Sequence, residues 1–430
     1  MVGLRALGRL ARRYSHLNWA LADQALVSGS NVLTGVLLAR FLGTEGFGVY
    51  TLAWAVLLFV ASIHLPLIVG SMMSIGAKQS RAEAPAYFGA VIVQNLVFSV
   101  LGTLLVLGGV LLAHVLFPEW NIGRLALPIS AATFATTWQE FFRRYFYTRD
   151  RAATAAMLDA VRYIGQISAL LFLFVGLPGV LDSRGALWVI AGAAALPALL
   201  STFSLGQIEF RSEVMASITS RNYRSAKWMV VSAPLEWASE YVFFFVTGSV
   251  LGTGDVGALR ATQNVAAMTS LLFLSLLNVV PPGAARHYQE GGIGAMNAYL
   301  RRVTLMGATA TVAVCLVLAT FPEFWLGLLF GSEFVGYGEL VRWWALVYTV
   351  NFFALPLRSG LRALERTRPV FISRLAGTVF AAAAAGILIS RMGLRGAPIG
   401  VLGTKAILVS LLWWLFIRSG RRDSTSLIRA

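Results

Sequence analysis

Glu236 and Glu240 stand four residues apart inside the apolar run 228–250, which puts both carboxyls on one face of a helix. At 1.5 Å per residue they lie roughly 12 and 18 Å in from Trp228. Lys405 reaches a similar depth, roughly 13 Å into the run 396–417 from its outer end. An ionised side chain that deep in hydrocarbon costs roughly 2.5–3.5 kcal/mol on insertion scales, so each needs a partner, water or a route to the headgroups. The spacing leaves two readings open. Either Glu240 and Lys405 form a buried ion pair, or one glutamate takes up and releases a proton or binds Na⁺ as the chain changes conformation. A pair can itself be the switch.

Further polar groups interrupt other apolar runs. Asp159, Arg162 and Gln166 share a face of the run 153–176 at i, i+3, i+7 spacing, as an internal Asp159–Arg162 pair or as the lining of a cavity. Asp23 and Gln24 break the first run, where Gln24, Ser28, Asn31 and Gly35 form a polar and small stripe whose simplest use is close helix packing. Thr133, Thr137, Glu140 and Arg144 form a comparable stripe, as do Arg260, Gln263 and Asn264. Several helices with one polar face imply an enclosed aqueous cavity. Glu236, Glu240, Asp159 and Asp23 are its candidate ion-coupling carboxylates. Arg40 and Arg260, near outer helix ends, can also simply snorkel.

The elements that must position these groups are apolar helices. The 430 residues are 57% hydrophobic and 13% charged, too few charges to cover a soluble surface. Runs of about 20 apolar residues cross a bilayer only as helices, because lipid leaves no partner for an open backbone. Twelve are expected, at 18–41, 47–73, 87–115, 123–147, 153–176, 185–205, 228–250, 255–281, 300–320, 335–357, 369–390 and 396–417. The predicted fold class is therefore all-α, a polytopic membrane protein. No removable signal peptide is expected, since Asp23 and Gln24 break the first run and no small-residue cleavage site follows. Met1 to Ser15 places Arg5, Arg9, Arg12 and Arg13 on one helical face, as in an anchor lying on an anionic leaflet. Counting Lys and Arg by alternate loops puts twenty-six on one side and six, Arg40, Arg124, Arg184, Arg260, Arg391 and Arg395, on the other, which makes both termini cytoplasmic. The net charge of +16 is thus topological, and nucleic acid is not an expected partner. Trp120, Trp188, Trp325, Trp343 and Trp344 read as interfacial belt residues, while His64 and His114 carry no assigned chemistry.

The chain also reads as a duplication. Leu42-Gly43-Thr44-Glu45-Gly46-Phe47-Gly48 returns as Leu251-Gly252-Thr253-Gly254-Asp255-Val256-Gly257 at a constant offset of 209. Phe117-Pro118-Glu119-Trp120 returns as Phe321-Pro322-Glu323-Phe324-Trp325, and Arg143 to Arg151 corresponds to Arg358 to Arg366. The division expected is a six-helix lobe at 1–206, a cytoplasmic linker at 207–227 and a second six-helix lobe at 228–430, two pseudo-symmetric lobes in the same orientation. The single Cys315 excludes an internal disulfide or cysteine metal site, and no phosphate-loop, hydrolase or zinc-protease signature is present. Neither an enzyme, a metal nor a cofactor is expected.

The segment Ala39-Arg40-Phe41-Leu42-Gly43-Thr44-Glu45-Gly46-Phe47-Gly48-Val49-Tyr50 resembles the opening of bacterial polysaccharide transporters, the O-antigen and exopolysaccharide flippases of the multidrug/oligosaccharidyl-lipid/polysaccharide exporter superfamily. The resemblance implies two six-helix lobes in the inner membrane of a bacterium. It implies alternating access for an undecaprenyl-pyrophosphate-linked oligosaccharide, driven by a proton or Na⁺ gradient. The partners it implies are that polyprenyl-linked oligosaccharide, membrane lipid, and polysaccharide polymerase and assembly proteins. Arg260, Arg162, Arg40, Arg342 and Lys405 are then the cations for the head group, with Gln263, Asn264 and Asn31 beside them. The competing expectations are a cation-coupled drug or metabolite exporter, an intramembrane transferase, and a scaffold of an assembly complex. The absence of any loop long enough to fold as a domain weighs against the transferase.

Overall fold

The computed structural model describes residues 2–116, 122–177, 182–366 and 368–427. Trp120, the first copy of the Phe-Pro-Glu-Trp echo, and the side chains of the basic N-terminal segment lie outside what it describes. Among the described residues every regular element is helical. The elements are α1 (Val2–His64), α2 (Ala84–Leu116), α3 (Ala126–Thr148), α4 (Ala152–Gly176), α5 (Ser183–Phe203), α6 (Ser212–Val250), α7 (Thr253–Ala267), α8 (Ser270–Thr320), α9 (Pro322–Phe330), α10 (Gly338–Phe352), α11 (Ala354–Ala363), α12 (Arg368–Met392) and α13 (Gly396–Leu427).

The twelve expected spans map onto these helices. α1 carries the first two, separated at Gly43, whose φ of 65° and ψ of −173° break the helix. The second of them ends in two π-helical stretches, Leu65–Gly70 and Met72–Gly76. The eighth span is divided between α7 and the start of α8, and α8 continues through the expected loop with one interruption at Gly291–Gly292. The tenth is α10 followed by α11. Helix α6 starts at Ser212, inside the expected linker, so the polar interval is largely helical. α9 was not expected; Pro322 starts it and Gly331, at φ 100°, ends it.

The chain divides into two compact units, Met1–Leu42 with Ala53–Pro234, and Gly43–Leu52 with Leu235–Ala430. In the first unit the core is aromatic. Phe141, Phe142, Tyr145 and Phe146 recur on one face of α3 and pack on Tyr87 and Phe88 of α2, with the Phe88 and Tyr145 rings edge to face at 5.0 Å. In the second unit Ala381 and Ala385 of α12 face Ala397 and Val401 of α13 around Phe243, Phe244 and Trp344. Small residues allow that approach, since packing contact and not water exclusion holds helices together in lipid. Trp344, expected at an interface, is 1% exposed and belongs to this core.

The duplication is visible in backbone detail. Gly43 and Gly252 both have positive φ. The turn after α3 has Arg149 N–H donating to Tyr145 O, Asp150 N–H to Tyr147 O and Arg151 N–H to Phe146 O, at 3.0, 3.2 and 2.8 Å. The turn after α11 repeats all three bonds 215 residues on: Leu364 to Gly360, Glu365 to Arg362 and Arg366 to Leu361, at 3.0, 3.0 and 2.8 Å. Asp150 and Glu365 share a φ of 56°. An acidic residue in the left-handed region twice over marks one helix-ending motif inherited by both halves.

Candidate functional site

In the first unit, α3 supplies the centre of a buried charge cluster. Arg143 is 8% exposed, and its Nη2 donates to Asp23 Oδ2 of α1 at 2.8 Å. Its Nε lies 2.5 Å from Asp159 Oδ2 of α4 as an ion pair without hydrogen-bond alignment. Tyr147 Oη donates to Asp23 at 2.5 Å, and Glu140 pairs with Arg144 at 2.6 Å. Gln139 donates to Asp159 Oδ1 at 2.5 Å and accepts from Arg162. Asp23, Asp159, Gln139 and Arg162 are all buried. Three carboxylates thus stand beside three guanidiniums, and the cluster is balanced.

This corrects the expected Asp159–Arg162 pair along α4. Asp159 takes its cation from α3, and Arg162 reaches it through the Gln139 amide while its guanidinium lies 4.8 Å over the Tyr163 ring. Gln166 extends the same face and donates to Thr34 of α1 at 2.9 Å. The packed face of α1 is Asp23, Val27, Ser30, Thr34 and Leu38. Gln24 and Asn31 are exposed, so their stripe does not serve close packing. Arg40 is exposed at the end of the first segment of α1.

In the second unit the corresponding helices carry the opposite balance. The expected Glu240–Lys405 pair is present, Lys405 Nζ lying 2.6 Å from Glu240 Oε1. Lys405 is buried, whereas 43% of the Glu240 side chain remains accessible. Glu236, one turn earlier, takes Arg374 of α12 at 2.8 Å and Arg358 of α11 at 3.7 Å. Arg260 of α7 donates to Gln263 at 2.7 Å and lies in the field of Glu240 and beside Tyr241. Gln263 and Asn264 are half-buried on the same helix. Four cations therefore surround two carboxylates. Arg342 is not among them: it binds Ala319 O at 3.2 Å and Glu323 at 3.5 Å, at the α8–α9 turn.

Arg358 and Arg374 belong to the twenty-six basic residues of the cytoplasmic side and are not among the site residues expected from sequence. The signal that finds them is the repeat, because an offset of 215 carries Arg143 onto Arg358 and Asp159 onto Arg374. In the first unit one arginine, Arg143, faces Asp23, Asp159 and, at 3.6 Å, Glu140; in the second one carboxylate, Glu236, faces two arginines. The polarity is inverted within a shared architecture. His64, to which no chemistry is assigned, is buried against Asn95 at 2.7 Å.

The MatE family matches residues 229–386 of the chain. No curated protein matches it in sequence. Among solved structures it is similar to an inward-facing multidrug resistance MATE family transporter of the MOP superfamily, at 16% identity and a TM-score of 0.76, covering 94% of this chain and 96% of that one. It is similar to the lipid II flippase MurJ in its inward closed conformation, at 13% identity and a TM-score of 0.70, over 96% and 92% of the two chains. A third match is a MOP superfamily transporter from Pyrococcus furiosus described as having a binding pocket of reverse polarity, at 13% identity and a TM-score of 0.65, over 93% of each. The fold is the one these solved transporters share.

Proposed function

We propose that this chain, built on a MOP-superfamily transporter fold, is a flippase. Its substrate in this reading is an undecaprenyl-pyrophosphate-linked oligosaccharide, an O-antigen, capsule or exopolysaccharide unit. The protein moves it from the inner to the outer leaflet of a bacterial cytoplasmic membrane. The observation that carries the reading is the cation excess in the second unit, where Arg260, Arg358, Arg374 and Lys405 outnumber Glu236 and Glu240. Arginine offers paired N–H donors to phosphate oxygens, and a pyrophosphate needs several positive charges to leave water. Gln263 and Asn264 in the second unit, and Arg162, Arg40 and Asn31 in the first, are the further polar groups that this reading assigns to the head group. Asp23 and Asp159, held by the single Arg143, are the carboxylates that exchange a proton or Na⁺ in the first unit, and Glu236 and Glu240 do so in the second. Alternating access by two repeated lobes, 1–206 and 228–430, is part of this reading. Arg342 serves a turn and is left out of the path.

A second reading, a cation-coupled multidrug or metabolite exporter, is favoured by the accessible carboxylates of Glu236 and Glu240. Deleting the gene and extracting the lipids separates the two. Accumulation of a completed lipid-linked unit on the cytoplasmic leaflet, reversed by the intact gene and not by Arg260→Ala at equal membrane abundance, is the expected outcome. Normal lipid pools with intact surface polysaccharide would refute the flippase.

A further inference from the structure

The turns after α3 and α11 share a backbone but enclose different things. In the first unit the turn is closed: Arg151 donates to Ser204 O at 2.5 Å and lies 5.0 Å over the Phe146 ring, and Arg149 lies 5.3 Å over the Phe88 ring. In the second unit the residues 215 positions on, Arg366 and Ser419, line a cavity of ≈630 Å³ together with Glu365, Arg368 and Arg418. A second cavity of ≈430 Å³, lined by Arg362 and Tyr288, shares Glu365 and Arg366 with it. Four arginines thus line the two adjoining cavities beside one carboxylate, Glu365. None of them belongs to the transport cluster above.

The surroundings define the ligand. The Arg418 guanidinium lies 5.1 Å over the Trp414 ring on α13. Beside it Trp413, Trp414 and Ile417 of α13 and Ile372 and Leu375 of α12 are exposed apolar side chains. By the distribution of basic residues this end of the unit is cytoplasmic, where the leaflet carries anionic lipid. We propose that the cavity binds the phosphate of an anionic phospholipid, with the acyl chains lying along α12 and α13. The phosphodiester accepts from Arg368 and Arg418, and the Glu365 carboxylate lining the same cavity opposes a bound anion. A free phosphate would satisfy the arginines equally; the apolar flank is what selects a lipid.

The test uses the full chain purified in detergent. Retained lipid is read by native mass spectrometry, and the thermal midpoint is followed as phosphatidylglycerol, phosphatidylcholine or inorganic phosphate is added. Phosphatidylglycerol should raise the midpoint and be retained, and R368Q/R418Q should weaken it roughly a hundredfold, about tenfold for each of the two charge-assisted contacts removed. R391Q, at the other end of α12, should leave it unchanged. Should the double variant fail to fold, E365Q decides the matter: it removes the opposing carboxylate without adding bulk and should tighten retention. Equal stabilisation by inorganic phosphate would overturn the lipid assignment. Unchanged retention in both R368Q/R418Q and E365Q would overturn the site.

Discussion

Gly48 and Gly257 should each reject a single methyl group, although both lie in helix. The two are equivalent by the repeat, and each presses against the other's neighbour. A Cβ on Gly257 would sit 2.9 Å from the carbonyl carbon of Thr44, and one on Gly48 would sit 2.7 Å from that of Thr253, nearer still to the oxygens. Ordinary contact begins at 3.4 Å, so the backbones must separate by more than 0.5 Å, and a carbonyl cannot swing aside as a side chain can. Overpacking of this kind costs about 1–3 kcal/mol, against a helix-propensity gain of about 1 kcal/mol for replacing glycine with alanine. Gly254 is the control. Three residues away, its nearest neighbour is Thr44 Oγ1 at 3.8 Å, which leaves room for a methyl. Thermal unfolding in detergent should therefore move in opposite directions, down for Gly257→Ala and up for Gly254→Ala. The double variant Gly48→Ala/Gly257→Ala should cost less than the sum, because the first methyl already parts the helices. A Gly257→Ala protein as stable as the parent would refute the close crossing.

Asp23→Asn should lower stability by about 1–3 kcal/mol, since it strips one anion from a buried guanidinium that keeps Asp159; an unchanged unfolding midpoint would mean that Arg143 does not depend on it. Lys405→Met should cost only about 1–3 kcal/mol, because Glu240 loses its 2.6 Å partner but keeps a partly accessible side chain. Substrate transport should nevertheless fall with it, and transport at the parental rate would remove Lys405 from the path. Glu333→Ala should cost about 1 kcal/mol, because the carboxylate caps the helix that restarts after Gly43, accepting from Thr44 N at 3.0 Å and Thr44 Oγ1 at 2.7 Å. Restoring the midpoint with Glu333→Gln would show that a neutral acceptor suffices.

The spans were legible because hydropathy changes sharply at the end of an apolar run. The Gly43 and Gly252 breaks were legible because positive φ restricts the residue type. Where a charge finds its partner was legible only in part. The pairing of Glu240 with Lys405 followed from equal depth on two runs. That of Asp159 did not, because the nearest cation in sequence, Arg162, lost to Arg143 on another helix. The start of α6 at Ser212 was hidden for a different reason: its first turns are polar and pack through Asn222, which donates to Gln94 at 3.0 Å and accepts from Tyr87 at 3.2 Å. Apolar periodicity does not register a helix held by amide contacts. Trp344 misled by residue type, since tryptophan favours interfaces but fills a core equally well.

The assignment of Gly43–Leu52 to the second unit has a consequence for biosynthesis. This segment leaves the ribosome about two hundred residues before the α7 backbone that Gly48 touches, and earlier still relative to Glu333, which caps Thr44. During translation it must wait in the membrane, its helix start uncapped and its glycine face open, until those partners are inserted. A chain stalled before α9 would leave that start without its carboxylate.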